Sequence, residues 1–151
     1  MPEKTSVLFV CLGNICRSTM AEGIFRHEAQ KPEWKDKIGR VDSCGTAAYH
    51  TGDEPDDRTM ATLRENGITD YDHAARRFAT SDFEKFDYIF AMDRSNLSDL
   101  VRLQRGSPDT RARVMLFGEY GGGGGGGRAE VCSRFTRNFL ADVVAAGKTA
   151  P

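Results

Sequence analysis

Apolar residues in this chain fall into short continuous runs and into helically spaced sets, and the two alternate. Val7-Leu8-Phe9-Val10 is a short β-rich run of the kind found in buried parallel strands. A loop follows, then Met20, Ile24 and Phe25 at helical spacing on one face, with Glu22 and Arg26 off it. Val41 to Cys44, closed by Gly45, reads as a second strand. Pro55 to Asn66 reads as a helix with proline near its start and Gly67 as its stop. Tyr88 to Ala91 is a third strand, with a helix from Ser95 to about Leu103, and Ala112 to Phe117 is a fourth. Val131 to about Ala146 returns to helical spacing, with Phe135, Phe139, Leu140, Val143 and Val144 as its stripe. The pattern predicts an α/β fold: a four-stranded parallel sheet flanked by helices on both faces, with ligands at the carboxyl ends of the strands. No internal repeat or linker breaks residues 1–151, so a single domain is expected. The one low-complexity segment is the glycine run 121–127.

Composition narrows the classes. Lysine plus arginine number 21 and aspartate plus glutamate 22 among 151 residues, a net charge of −1. That balance argues against general binding to nucleic acid or an anionic membrane, while allowing a local basic pocket. With 39% hydrophobic and 28% charged residues the expectation is a soluble globular protein. No apolar run approaches the roughly 20 residues of a membrane helix, and the start lacks a signal-peptide pattern. Cysteines at 11, 16, 44 and 132 do not form a small secreted disulfide framework, so a reducing, cytoplasmic setting is expected.

The chemistry concentrates in Cys11-Leu12-Gly13-Asn14-Ile15-Cys16-Arg17-Ser18, between the first strand and the first helix. A cysteine six residues before an arginine is a weak signal alone. Its placement is a strong one. A loop there turns successive backbone N–H groups inward at the positive end of a helix dipole, making an anion nest of Leu12, Gly13, Asn14, Ile15, Cys16 and Arg17. Gly13 and Asn14 are types that tolerate left-handed backbone. Arg17 adds a fork for two phosphate oxygens. The same field favours the thiolate of Cys11, and a Ser18 hydrogen bond would make that sulfur a better leaving group. The reading is nucleophilic catalysis on phosphorus through a phosphocysteine, a phosphate-binding loop after the first strand.

The run from Val7 to Ser18 followed by Met20-Ala21-Glu22 resembles the low-molecular-weight protein tyrosine phosphatases. The resemblance continues through Asp42-Ser43-Cys44-Gly45-Thr46, Tyr49-His50, Pro55-Asp56, Asn66-Gly67-Ile68, His73-Ala74 and Tyr88 to Asn96, about residues 5–118 and more loosely the last helix. It implies Cys11 as nucleophile, Arg17 as oxyanion clamp, and Asn14 holding the loop through a network with Ser43 and His73. It implies Tyr49, beside His50, as an aromatic wall for the phosphotyrosine ring, and a structural role for Asp93. It also implies a reversible Cys11–Cys16 disulfide that shields the nucleophile. Cys44 and Cys132 read as core residues. Substrates would be phosphotyrosine proteins or small aryl phosphates, with inorganic phosphate and similar anions as ligands, and no cofactor or metal.

Two departures stand out. Thr19 replaces the usual proline, with little expected consequence. After Phe117, relatives carry an Asp-Pro-aromatic motif whose aspartate protonates the leaving oxygen and later activates water. This chain has no Asp-Pro dipeptide; Gly118-Glu119-Tyr120 runs into Gly121 to Gly127 instead. Glu119, Glu130 and Asp142 are acids without a supporting motif, so the general acid is left unassigned. Reduced activity on phosphotyrosine follows as an expectation. Two alternatives compete: a phosphotyrosine-binding or substrate-trapping module, and a thioredoxin-linked arsenate reductase. The second needs two further cysteines close together, which Cys44 and Cys132 do not match.

Overall fold

A computed structural model describes residues 4–107, 110, 112–118 and 128–145; the glycine run and Glu119 lie outside the described residues. Four strands, β1 (Thr5–Cys11), β2 (Ile38–Gly45), β3 (Tyr88–Ala91) and β4 (Arg113–Leu116), form one sheet in the order β2-β1-β3-β4. Every pairing is parallel. The helices are α1 (Arg17–Ala29), α2 (Asp57–Glu65), the one-turn α3 (Asp82–Lys85), α4 (Arg94–Arg105) and α5 (Arg128–Ala145). The predicted α/β architecture is the observed one.

Strand alternation divides the core in two. Val7, Phe9 and Phe90 point to one face, where α1, Leu63 of α2 and Phe135, Phe139 and Leu140 of α5 cover them. Leu8, Val10, Ile89 and Ala91 point to the other, against Phe78, Phe83, Phe86 and Leu100. The rings of Phe90 and Phe117 lie 4.9 and 4.3 Å from Phe135, so α5 is clamped onto the sheet by aromatic contacts.

The element boundaries differ from expectation for physical reasons. Asp56, not Pro55, starts α2: its carboxylate accepts the Arg58 N–H at 2.9 Å, so the proline sits just before the cap. Asp93 caps α4 in the same way, accepting from Asn96 N–H at 2.8 Å. The last helix begins at Arg128, three residues before the predicted start at Val131. The short α3 carries no long periodic signal, yet it seats Phe83 fully in the core.

The fold subjects α1 to an unusual environment. Every residue from Ser18 to Phe25 is buried, Glu22 included. A helix enclosed in this way has no solvent face for its central turns. Glu22, expected off the apolar face, is 1% exposed, and the polar groups described next account for it.

Candidate active site

The chain leaves β1 for β2 on one side of the sheet and later for β3 on the other, so the carboxyl end of β1 lies at a topological switch point. Cys11 ends that strand, paired with Gly45, and is 3% exposed. Backbone bonds from Thr46 and Ala47 to the carbonyls of Cys11 and Leu12, at 2.9 and 3.0 Å, fasten the loop to the end of β2. A Cβ on Gly45 would stand 2.6 Å from the Leu12 carbonyl oxygen, so only glycine permits this approach.

Asn14 shapes the loop. It has φ of 60°, a left-handed conformation that asparagine adopts at modest cost. Its amide is bonded on both sides: Nδ2 donates to Ser18 Oγ and Ser43 Oγ, each at 2.9 Å. Oδ1 accepts from His73 Nε2 at 2.8 Å and from the Arg76 backbone N–H at 3.0 Å. Gly13, expected to share the left-handed role, has no positive φ. Its smallness matters because a Cβ there would meet His50 Cδ2 at 2.9 Å.

The sulfur sits inside this frame. Cys11 Sγ lies 3.0 Å from Ser18 Oγ and accepts the Asn14 N–H at 3.2 Å. Because Ser18 Oγ already accepts from Asn14, its own proton is free to point at sulfur, which suits a thiolate. The N–H groups of Gly13, Ile15 and Arg17 make no hydrogen bond among the described residues. Left without a partner there, they are available as donors to an anion at the start of α1. Thr19, the substitute for proline, is fully buried and donates its hydroxyl to the Cys16 carbonyl at 2.9 Å, so it secures the helix start.

Arg17 is held by Asp93, with Nη1 to Oδ2 at 2.7 Å. Asp93 uses its other oxygen to cap α4. Burial alone would raise this carboxyl, but the Asn96 amide and Arg17 hold it below the usual aspartate range. The aspartate therefore ties the Arg17 guanidinium to the start of α4.

Behind the loop lies a second layer. Ser43 donates to Glu22 Oε1 at 2.7 Å, as does Tyr71 OH at 2.7 Å, while Arg26 reaches Oε2 at 3.1 Å. Hydrogen bonds thus run from Glu22 through Ser43 and Asn14 to Ser18 and the sulfur. Burial pushes the Glu22 carboxyl from 4.5 up to about 7, against the hydrogen bonds from Ser43 and Tyr71. Burial also drives the Tyr71 hydroxyl up, and it lowers His73 below 6.5. A carboxyl raised in the fold contributes stability that is complete below pH 4.5 and lost as pH rises toward 7. Glu22→Gln keeps an acceptor for both hydroxyls but cannot titrate. Its stability should change less than that of the unmodified chain between pH 5 and pH 8, by on the order of 2 kcal/mol. Urea denaturation at the two pH values measures this; parallel losses in both proteins would contradict it.

The structure therefore brings Cys11, Asn14, Arg17, Ser18, Ser43 and His73 together around one loop. Leu12 and Tyr49 are 49% and 77% exposed, and His50, next to Tyr49, packs against Gly13 at the rim. Cys44 and Cys132 are buried, as expected, but in the cores on opposite faces of the sheet, which rules them out as a relay pair. Glu130 and Asp142 are both exposed on α5. Glu22, Tyr71 and Arg76 were missed from sequence. The one signal was an acid inside the otherwise small and apolar stretch Met20 to Phe25.

The same arrangement has known counterparts. The family model for low molecular weight phosphotyrosine protein phosphatase matches residues 6–135. The protein of that name from Schizosaccharomyces pombe is 54% identical over 121 residues, 80% of this chain and 75% of the relative. Among solved structures, YfkJ from Bacillus subtilis superposes with a TM-score of 0.82 at 34% identity, covering 97% of this chain and 99% of that one. A protein tyrosine phosphatase from Entamoeba histolytica, with Hepes in its active site, gives 0.81 at 28%, covering 96% and 99%. With the strand order, the loop and these matches in agreement, the chain belongs to the low molecular weight phosphotyrosine protein phosphatase family.

Proposed function

We propose that this protein hydrolyses phosphotyrosine, and small aryl phosphates, through a phosphocysteine on Cys11. The observation that carries the reading is the sulfur held 3.0 Å from Ser18 Oγ and 3.2 Å from the Asn14 N–H, in a loop whose Gly13, Ile15 and Arg17 N–H groups have no partner among the described residues. The thiolate attacks phosphorus in line, the P–O bond to the aryl group breaks, and the leaving oxygen takes a proton. Water then attacks phosphorus, the P–S bond breaks, and inorganic phosphate departs with the thiolate restored. Leu12, Gly13, Ile15 and Cys16 offer backbone donors to the phosphoryl oxygens. Arg17 clamps two of those oxygens as charge builds on them. Ser18 and Asn14 stabilise sulfur as the anion it becomes when expelled. Ser43 and His73 hold Asn14 in its left-handed conformation, and Tyr49 with Leu12 receives the ring.

The missing Asp-Pro motif limits the chemistry. With no acid assigned to protonate the leaving oxygen, rapid turnover is restricted to good leaving groups. A peptide bearing phosphotyrosine, assayed for phosphate release beside its phosphoserine counterpart, tests the reading. Release from the first alone, competitively inhibited by inorganic phosphate, supports it. Tight binding without release would make the protein a phosphotyrosine trap. Arsenate-dependent oxidation of thioredoxin would favour the reductase, a chemistry for which Cys44 and Cys132 are wrongly placed.

A further inference from the structure

Helix α4 carries a basic face that the phosphate loop does not use. The helix buries Asn96 and Leu100 against the sheet side. On another side runs a groove of about 380 Å³, lined by Arg94, Leu97, Ser98, Val101, Arg102 and Arg105. These positions recur at intervals of three and four residues, so they share one helical face. Leu97 and Val101 are half-buried in it, while Ser98 and the three arginines are exposed. Arg102 is paired with Asp99. Arg94 and Arg105 have no ion-pair partner among the described residues. Arg102 and Arg105 lie in the last turn, where the helix dipole favours cations. Arg94 is the first residue of α4, at the positive end of that dipole, where a cation is disfavoured. Helix stability therefore does not account for it. The face also starts beside the active site, because Arg94 follows Asp93, whose carboxylate holds Arg17 at 2.7 Å. From Arg94 to Arg105 the helix rises about 17 Å, at about 1.5 Å per residue. About five residues of extended chain span that length.

We propose that this groove on α4 binds an acidic segment of the protein substrate, next to the phosphotyrosine held by the Cys11 loop. The proposal rests on the phosphotyrosine reading above. Charge complementarity selects the occupant. Three arginines against one acid, Asp99, leave a positive strip along a helix of a chain whose net charge is −1. Carboxylates of the segment pair with the arginines, and an apolar side chain between them packs on Leu97 and Val101. A strip of this kind speeds encounter with acidic partners and weakens as salt rises. A basic segment is repelled there, and an uncharged one gains only the apolar contact. The groove touches no reacting atom. It therefore acts on the affinity for protein substrates and leaves the chemistry of small aryl phosphates alone.

The test titrates the full chain carrying Cys11→Ser, which leaves Arg17 and the backbone donors in place, with fluorescent phosphotyrosine peptides at low salt. One peptide carries glutamates and a leucine just before the phosphotyrosine, a second carries them just after it, and a third has glutamines instead of the glutamates. One of the acidic peptides should bind about 10-fold more tightly than the neutral one, the scale of a few exposed ion pairs acting together. Adding Arg102→Gln and Arg105→Gln, at the end of α4 away from the phosphate loop, should erase that preference. Salt near ~1 M, where the Debye length is about 3 Å, should erase it too. The reversed pair Arg102→Glu and Arg105→Glu should prefer a peptide flanked by lysines. Equal affinity for all three peptides, or an acidic preference that survives the glutamine pair, would overturn the proposal. So would vesicles of phosphatidylserine and phosphatidylcholine binding through these arginines while the peptides bind alike, since the face would then be a membrane contact. In the chain that retains Cys11, the glutamine pair should leave kcat/KM for phenyl phosphate unchanged. Absence of turnover with and without the pair would count against the phosphatase reading alone. A loss confined to the pair would place these arginines in the chemistry and overturn the docking role.

Discussion

Replacing Cys11 by serine should abolish turnover of aryl phosphates, a loss of about 10⁴-fold or more, the range in which removal of a nucleophile falls. A hydroxyl is a far weaker acid than a thiol, and among the described residues no base stands beside this position to help. Asn14 N–H and Ser18 hydrogen-bond the sulfur, and they cannot ionise an alcohol. The nest, by contrast, is built from backbone groups and Arg17, which the substitution leaves in place. Inorganic phosphate should therefore still protect the variant against thermal unfolding. Loss of both turnover and protection would mean that the loop had collapsed. Retained turnover would remove Cys11 from the chemistry.

The second large effect concerns the leaving group. Positioned general acids contribute about 10²–10⁴-fold, and tyrosine, with a pKa near 10, depends on one more than acidic phenols do. Across a series of aryl phosphates, kcat/KM should climb steeply as the phenol becomes more acidic. In contrast, kcat should level off, because hydrolysis of the common phosphocysteine then limits every substrate. Phosphotyrosine should sit at the slow end of the series by a large part of that range. A flat dependence of kcat/KM would show that some residue does protonate the leaving oxygen. Glu130 and Asp142, on α5, and Glu119 would then be the acids to substitute first.

Much of this was legible in the chain because the signals are local. Val7 to Val10 announces a buried strand, and the loop from Cys11 to Ser18 carries its chemistry in consecutive residues. What was illegible is what the fold assembles from afar. Glu22, Ser43 and Tyr71 are separated by as many as 49 positions, and they meet only because α1, β2 and the segment before α3 converge behind the loop. Helical spacing placed Glu22 away from the apolar face, which holds for a helix with a wet side. Here α1 is enclosed, and its acid is accommodated by three hydrogen-bond donors instead of water. Gly13 illustrates the same limit. Its residue type suggested a left-handed backbone, whereas the structure uses its missing side chain to admit His50. Ser43 and His73 came from family resemblance alone, since nothing in their local pattern points to Asn14.

The proposed mechanism requires a covalent bond between phosphorus and one sulfur. Rapid acid quench of the protein with a reactive aryl phosphate, followed by peptide mass spectrometry under acid conditions, observes it directly. The expected result is a phosphoryl adduct on the peptide carrying Cys11, formed within the first turnover, accumulating at steady state and absent from Cys11→Ser. Steady turnover with no adduct on Cys11, or an adduct on another residue, would contradict it.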